Sequence, residues 1–372
     1  MTYWNYFGFR CGGGMVKLDQ LDKYQNIDPS GVRQRLKDFP DLCQSAWEDV
    51  NSANLPSDWK DCEHVVICGM GGSAIVGDLA SDLVALQQSI PITVVRGFSL
   101  PFRLTKKHLV ILCSYSGDTA ETLSLFRQAN QFESRLLVVA GGGELSSLAT
   151  EYGHAFIKID VDCEPRNALG YNLMIVLGVL SRIGCIGISE IDFQQSLAAV
   201  SNQVMALCED IPESKNLAKQ LANDLSGKAT VIYSGGLLTG MGLRWKTQIH
   251  EHAKAIAFNE TIPELLHNSI ESLDEIALNA ENYFVLLMRP SELSDQLRRS
   301  YEAIEKLLIR QRVPHKVVLA TQDSHIAQIF TMIVLGDYVS YYMALDREVE
   351  PSRTSLIDFG KFLTQGSKAD SV

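Results

Sequence analysis

The segment VVICGMGGSAIVGDLASDLVAL (residues 65–86) decides the fold class, because it joins a short apolar run to a helical pattern through a glycine turn. Its first residues are β-branched, as in a parallel strand that is buried on both faces. Residues 74–86 then repeat apolar side chains at helical spacing. A strand that leads directly into a helix is the unit of a right-handed βαβ crossover and predicts a parallel sheet.

The same alternation continues along the rest of the chain. Further strand-like runs are ITVV (92–95), LVILC (109–113), RLLVVA (135–140), AFIKI (155–159), ATVIY (229–233), YFVLLM (283–288) and KVVLA (316–320). Helical patterns cover 119–130, 240–256, 293–311 and 324–345. The pattern predicts an α/β protein with two doubly wound parallel sheets, each covered by helices on both faces.

The order of these patterns predicts four segments. Residues 1–60 form an N-terminal extension with a leading helix around 32–50, and translation is expected to start at Met15. Residues 61–184 form the first domain, 185–225 a helical connection, and 226–372 the second domain, with a frayed tail after Gly366. The glycine turns CGMGGSAIVG (68–77) and YSGGLLTGMG (233–242) suggest a weak internal duplication.

Composition excludes several classes of function. Lysine and arginine number 33 against 44 aspartates and glutamates, a net charge of −11. Such a chain lacks the broad basic surface that nucleic acid or an anionic membrane requires. No run approaches the ~20 apolar residues of a membrane span. The eight cysteines include no C-x-x-C pair, which argues against disulfides and zinc and suits a reducing cytoplasm.

Two loops at predicted strand ends are candidates for binding an anion. Gly69-Met70-Gly71-Gly72-Ser73-Ala74 is either a tight turn or a phosphate-binding loop that precedes a helix N-terminus. It approaches the G-x-G-x-x-A form of the dinucleotide fingerprint. However, Arg96 and Gly97 follow the second strand where NAD binding needs an acidic residue.

The second loop, SYSGDTAET (114–122), is rich in hydroxyls. Asp118 or Thr119 could cap the next helix, with Glu121 or Thr122 near its third position. Capping does not explain why Ser114, Ser116 and Thr119 crowd at one strand end. Hydroxyls can donate to phosphate oxygens, so both loops together predict one phosphate pocket.

These loops resemble the sugar isomerase (SIS) domain, which implies two flavodoxin-like SIS subdomains. Later segments are similar to the bifunctional phosphoglucose/phosphomannose isomerases: Glu164-Pro165-Arg166, WKTQIHEHAK (245–254), PELLHN (263–268) and TSLIDFGK (354–361). The resemblance runs from about residue 60 to residue 363. It implies reversible conversion of glucose 6-phosphate and mannose 6-phosphate to fructose 6-phosphate.

The resemblance also implies residue roles. The phosphate-binding positions correspond to Gly72, Ser73, Ser114, Ser116 and Thr119. Glu251 corresponds to the base, and Arg166 to an arginine that faces the sugar and stabilises an enediolate. His267 corresponds to the ring-opening proton donor, which in the family comes from the neighbouring subunit of a homodimer. Lys361 corresponds to a further proton-transfer residue, and Thr354 to a hydroxyl linked to the mannose epimer. No metal and no cofactor are implied.

Some neighbours depart from the family pattern. Asp118, Leu266, His250 and His252 stand where asparagines are common, which bears on substrate preference more than on reaction type. His250 and His252 could suggest a metal, but they are two residues apart on a helix and H-E-x-x-H is absent.

Each assignment has a structural alternative. Glu251 and Lys361 could be solvated charges, His267 could cap or pack against the helix at Pro263, and Arg166 could pair with Glu164. Two other functions also remain open. One is a non-catalytic sugar-phosphate regulator that uses the same pocket. The other is half of an aminotransferase, although Cys11 lacks a glutaminase domain around it.

Overall fold

The structure, a computed structural model, describes residues 18–364. The expected start at Met15, the residue Cys11 and the tail after Gly366 lie outside this range. The described chain forms two parallel sheets with helices around them. None of its helices is long and apolar enough to cross a membrane.

The first sheet contains five parallel strands in the order β2-β1-β3-β4-β5. They are β1 (His64–Cys68), β2 (Ile92–Val95), β3 (His108–Ser114), β4 (Arg135–Ala140) and β5 (Ala155–Lys158). This is the flavodoxin-like order. After β2 is added on one side of β1, the following strands are added on the other side, so the strand order reverses between β1 and β3. Ligands of such sheets bind at the carboxyl ends of the strands beside this switch point.

The second sheet has four parallel strands in the order β7-β6-β8-β9. They are β6 (Ala229–Gly235), β7 (Ala257–Ile262), β8 (Tyr283–Arg289) and β9 (His315–Leu319). The sequence pattern did not predict β7. Only its end residues, Ala257 and Ile262, are buried, and Phe258 is 51% exposed. An edge strand of this kind lacks the continuous apolar run of a central strand.

Fourteen α-helices surround the sheets in the described range. They are α1 (Tyr24–Ile27), α2 (Val32–Lys37), α3 (Phe39–Ser52), α4 (Gly72–Leu86), α5 (Ala120–Ala129), α6 (Gly143–Tyr152), α7 (Leu169–Arg182), α8 (Glu190–Leu207), α9 (Leu217–Leu225), α10 (Thr239–Ala253), α11 (Leu273–Leu278), α12 (Asp295–Arg310), α13 (His325–Asp346) and α14 (Ser355–Thr364). The predicted leading helix is divided into α2 and α3, because Pro40 stands in the first turn of α3 and has no N–H to continue a helix.

One hydrophobic core runs between the two sheets. Helix α13 lies at its centre, buried along nearly its whole length, and packs on α8, α9 and α10. Its contact with α10 is close: a Cβ at Gly336 would lie 2.4 Å from Nε1 of Trp245. The same indole nitrogen donates to the carbonyl of Met332 at 2.9 Å. The helices of both halves therefore share a single interior.

Helices α4 and α10, which follow the first strands of the two sheets, pack against each other. A Cβ at Gly240 would lie 2.8 Å from Cβ of Asp78, so only glycine allows this approach. The Gly240 amide donates to Oδ2 of Asp82 at 2.6 Å. This contact fixes α10, which carries Glu251, against the helix that follows the first glycine loop.

Candidate active site

The first glycine loop is a tight turn that leaves one hydroxyl without a partner. A Cβ at Gly69 would lie 3.0 Å from the Ser73 carbonyl carbon and 3.1 Å from the Cys113 oxygen, and Gly71 has φ +51°. The Ser73 side chain is buried, and its hydroxyl makes no hydrogen bond within residues 18–364. The tight-turn interpretation is therefore correct for the backbone and remains compatible with binding by Ser73.

The second loop begins at the end of β3, beside the first. The Ser114 and Thr119 hydroxyls lie 2.9 Å apart, and the Gly117 amide donates to Oγ of Ser114 at 3.1 Å. The Asp118 amide donates to Oγ of Ser116 at 3.2 Å. Since Cys113, which precedes Ser114, touches the Gly69 turn, both loops flank the switch point between β1 and β3.

The alternative that Thr119 caps α5 is correct for its position but not for its side chain. Thr119 occupies the N-cap position of α5, but its side chain makes no capping hydrogen bond. Asp118 instead accepts from the Glu144 amide at 2.8 Å, in the first turn of α6. A Cβ at Gly117, where φ is +75°, would lie 1.7 Å from the Gly142 carbonyl oxygen. Asp118 and Gly117 thus hold the loop on α6 and leave the hydroxyls together at the strand end.

Arg166 connects the first loop with the second half of the chain. The position of a Cβ at Gly72 lies 3.5 Å from the Pro165 carbonyl oxygen and 3.8 Å from Cα of Arg166. Nη1 of Arg166 lies 3.4 Å from Oε2 of Glu251. Burial lowers the pKa of the Arg166 guanidinium, and the Glu251 carboxylate opposes that shift. The expected alternative pairing is wrong, because Glu164 pairs with Arg35 at 3.3 Å.

Glu251 faces a cavity of about 430 Å³. Its walls are Thr247, His250, Glu251 and Lys254 from the α10 region and residues 353–357 from the C-terminal segment. The Glu251 side chain is 26% exposed and has Arg166 as its charged neighbour, so it is not a fully solvated surface carboxylate. Thr354 lines the same cavity. The structure therefore brings Arg166, Glu251 and Thr354 together.

A buried ion pair that the sequence pattern did not predict supports this arrangement. Arg244 donates to the Arg166 carbonyl at 3.1 Å and to Oδ1 of Asp337 at 2.7 Å. Gln248 donates to the same Asp337 oxygen at 2.9 Å. Burial raises the pKa of Asp337, and the Arg244 charge opposes the shift. The sequence did carry a signal for this pair, since Asp337 is the only charged residue within 326–345, a predominantly apolar helical segment.

His267 and Lys361 do not line the cavity that contains Glu251. His267 ends a short 3-10 helix after β7, where it is exposed and makes no hydrogen bond to another described residue. Lys361 lies on α14, none of whose residues is buried. The apolar side chains of that helix are exposed to solvent, Leu356 by 85% and Phe362 by 64%.

The two histidines that flank Glu251 have separate structural partners. Nε2 of His250 lies 3.0 Å from the Ala257 carbonyl oxygen. His252 is fully buried, and its Nδ1 lies 3.0 Å from Oγ of Ser340. Burial lowers the pKa of His252 well below its ordinary value. Among residues 18–364, no group of three histidine, cysteine or carboxylate side chains could hold a metal ion.

Solved structures show the same fold. A hypothetical protein from Thermus thermophilus aligns with a TM-score of 0.70 at 16% identity, over 94% of this chain and 93% of that chain. Tagatose-6-phosphate ketose/aldose isomerase from Escherichia coli aligns with a TM-score of 0.66 at 14% identity, over 86% and 95%. At these identities the likeness concerns the architecture alone.

Sequence comparisons are more specific. The family described as "Bacterial phospho-glucose isomerase C-terminal SIS domain" matches residues 214–362. A bifunctional phosphoglucose/phosphomannose isomerase of Caldicellulosiruptor bescii is 32% identical over 87% of this chain and 96% of its own length. One from Aquifex aeolicus is 30% identical over 81% and 88%. A D-glucosamine-6-phosphate 4-epimerase of Sulfolobus acidocaldarius is 26% identical over 73% and 80%. The chain belongs to the bifunctional phosphoglucose/phosphomannose isomerase family.

Proposed function

We propose that this protein interconverts glucose 6-phosphate and fructose 6-phosphate, and mannose 6-phosphate and fructose 6-phosphate, through an enediolate intermediate. Relatives that match most of the chain carry the name of this activity. The observation that carries the proposal is the contact of 3.4 Å between Arg166 and Glu251 at the edge of a cavity. It joins a carboxylate and a cation from opposite halves of the chain.

The phosphate of the substrate would bind at the two loops of the first sheet. The hydroxyls available there belong to Ser73, Ser114, Ser116 and Thr119, and Gly72 begins α4, whose N-terminal amides favour an anion. These contacts supply binding energy remote from the reacting carbons, and that energy positions the sugar. A local site of this kind is consistent with an acidic protein, because it needs no broad basic surface.

Glu251 is the candidate base. Its carboxylate would remove the proton from C2 of the open-chain aldose, so that C1 and C2 become doubly bonded and the carbonyl oxygen becomes an oxyanion. The guanidinium of Arg166 would stabilise the developing negative charge. Glu251 would then return the proton to C1, and a proton would pass from O2 to O1, a step for which Lys361 is the candidate. A positioned base contributes about 10²–10⁴-fold to such a reaction.

Ring opening requires a second acid or base, and His267 is the candidate. Because its side chain is exposed and does not line the Glu251 cavity of the same chain, it is available to a second copy. We therefore propose a homodimer in which His267 of each copy completes the site of the other. The exposed apolar residues of α14 are consistent with an association surface. The proposed location is the cytoplasm.

Replacement of Glu251 by Gln tests the proposal, with Glu133→Gln as a matched control, because Glu133 is exposed and far from the cavity-lining segments in sequence. Coupled assays with each aldose phosphate, without added metal, would report formation of fructose 6-phosphate. We expect Glu251→Gln to abolish turnover and the exchange of the C2 proton with solvent, while calorimetry still detects sugar-phosphate binding. Normal turnover in this variant would refute the assignment of the base.

The same experiment separates the non-catalytic alternative. A regulator would bind the sugar phosphate and would give no fructose 6-phosphate even with the unaltered protein. The epimerase among the relatives adds a third outcome, in which the assay yields an epimer of the aldose phosphate and no ketose. Chromatography of the products distinguishes all three.

A further inference from the structure

The segment of residues 350–354, called the strap below, leads from α13 to α14 and is held by two cations. Nζ of Lys254 lies 2.7 Å from the Glu350 carbonyl oxygen and 3.3 Å from that of Pro351. Nη2 of Arg166 lies 3.0 Å from the same Pro351 oxygen and 2.5 Å from that of Ser352. Three consecutive carbonyls of the strap therefore accept hydrogen bonds from these two cations, and the middle one, that of Pro351, accepts from both.

Lys254 also closes the end of α10. Its ammonium lies 2.8 Å from the Glu251 carbonyl oxygen and 3.1 Å from that of His252, which are among the last carbonyls of the helix and lack partners within it. An ammonium has three N–H donors, and four carbonyls surround this one. Its hydrogen bonds therefore go to the backbone, and no donor is left for a neighbouring carboxylate.

The backbone at this position favours glycine, yet the residue is lysine. Lys254 is the C-cap of α10 and has φ +51°, in the left-handed region. Helices commonly end in this conformation with glycine, which adopts it without strain. At this position the lysine side chain makes the contacts with the strap that glycine could not make.

The strap determines one wall of the Glu251 cavity. Thr354, at its end, lines the cavity, and so do Ser355, Leu356 and Ile357 in the first turn of α14. Because none of the described residues of α14 is buried, this helix has no core contact that would fix it independently. The place of both Thr354 and α14 therefore depends on how the strap is anchored.

We propose that Lys254 is a positioning residue that, together with Arg166, fixes the strap and thereby holds Thr354 and α14 over the Glu251 carboxylate. The inference rests on the proposed function for its catalytic consequence, but not for its structural one. Lys254 acts through the strap backbone and does not contact the reacting carbons. Its loss should displace the wall opposite Glu251 while the phosphate loops stay intact.

The experiment compares Lys254→Met with Lys254→Arg and with the control Lys246→Met. Lys246 lies on α10 and makes no hydrogen bond or ion pair within residues 18–364. Steady-state kinetics with both aldose phosphates are combined with hydrogen exchange of the free proteins and with thermal unfolding. Exchange is followed in peptides that cover residues 353–364.

For Lys254→Met we expect kcat to fall about 10- to 100-fold, because misplacement of about 1 Å at a catalytic site has effects of that size. KM should change by less than about threefold, since the phosphate contacts that dominate binding are untouched. The ratio of activities on the two epimers should shift, because Thr354 moves. Hydrogen exchange in residues 353–364 should be faster in Lys254→Met. Lys254→Arg should recover most of the lost kcat. Lys246→Met should have the same kcat and the same exchange as the unaltered protein.

Two results would overturn the inference. One is unchanged exchange at residues 353–364 in Lys254→Met. The other is a fall in activity that is equal for both epimers and follows the loss of folded protein, as a purely structural role would give. If Lys254→Met does not fold, Lys254→Gln takes its place. If the unaltered protein does not isomerise either sugar, the proposed function fails, and the exchange measurement still decides the role of Lys254.

Discussion

Substitution of Asp82 by Asn should stabilise the protein at neutral pH. Asp82 lies on α4, where its carboxylate accepts from the Gly240 amide at the beginning of α10. Burial raises the pKa of this carboxyl from 3.8 to about 8; the Gly240 hydrogen bond opposes the shift, and the neighbouring Asp78 adds to it. The carboxyl is therefore protonated in the folded protein over a range in which the unfolded chain is ionised.

The direction of the pH dependence follows from this raised pKa. Below about pH 4, the carboxyl is protonated in both the folded and the unfolded state, so its ionisation does not lower the free energy of unfolding. Between about pH 4 and pH 8, the folded state binds a proton that the unfolded state releases, so the stability falls as the pH rises. Above pH 8 the penalty is complete, because the folded state holds an ionised carboxylate in a site that disfavours it.

The magnitude has an upper limit of about 6 kcal/mol, at about 1.4 kcal/mol for each pH unit of displacement. That limit already includes the opposing hydrogen bond from Gly240, and residual exposure of Asp82 to solvent reduces the penalty below it. We expect a net gain of about 2–3 kcal/mol for Asp82→Asn at pH 8, because the amide oxygen still accepts from Gly240 and carries no charge.

Urea unfolding at fixed protein concentration, followed by circular dichroism between pH 5 and pH 8.5, measures this difference. The control is Asp210→Asn, because Asp210 is exposed and has no hydrogen-bonding partner in the described part of the chain. The free energy of unfolding of Asp82→Asn should exceed that of the unaltered protein by an amount that grows with pH. If the two free energies of unfolding do not differ, or differ by an amount that does not change with pH, Asp82 ionises normally and the reasoning is refuted.

Three further predictions concern the active site. Ser114→Ala should raise KM for either aldose phosphate about tenfold, because one hydroxyl is lost and Thr119 loses its partner; an unchanged KM would remove Ser114 from the phosphate site. If the Glu251→Gln and His267→Ala proteins are mixed and their subunits exchange, about a quarter of the unaltered activity should return. Half of the dimers are then mixed, and each mixed dimer holds one intact site out of two. No recovery would mean that both residues act in the site of one chain. Partial burial lowers the pKa of Lys254 to about 8, so kcat should decline above pH 8, and Lys254→Arg should move that decline to higher pH.

The sequence predicted every strand of the two sheets except the edge strand β7, and the interior strands carry the clearest pattern. VVIC and LVILC became β1 and β3, whose residues are almost all buried, and a continuous apolar run is the signature of such strands. The edge strand β7 had no such run, and its residues directly follow the predicted helix over 240–256 without an assignment of their own. Likewise, the predicted helical connection over residues 185–225 contains two separate α-helices, α8 and α9, because a period of 3.6 residues does not mark where a buried helix stops.

Only part of the candidate site could be predicted from the local sequence pattern. Each candidate phosphate loop lies within one strand-helix turn, so its hydroxyls are neighbours in the sequence. Arg166 and Glu251 are 85 residues apart, and only the family resemblance connected them before the structure did. The role of Lys254 left no sequence signal, because its partners are backbone carbonyls, which every residue carries. The roles of His267 and Lys361 remain predictions, since neither residue lines the Glu251 cavity of its own chain.

The position of α13 also limits how this chain can be divided. The helix is enclosed by α8 and α9, which precede the second sheet, and by α10, which belongs to it. Removal of all residues before 214 would remove α8 and expose to solvent the apolar surface of α13 that α8 covers. We therefore expect that the C-terminal portion does not fold as an autonomous module, although a family description matches it by itself. Gene fragments that separate the two portions should yield functional protein only when both are produced together.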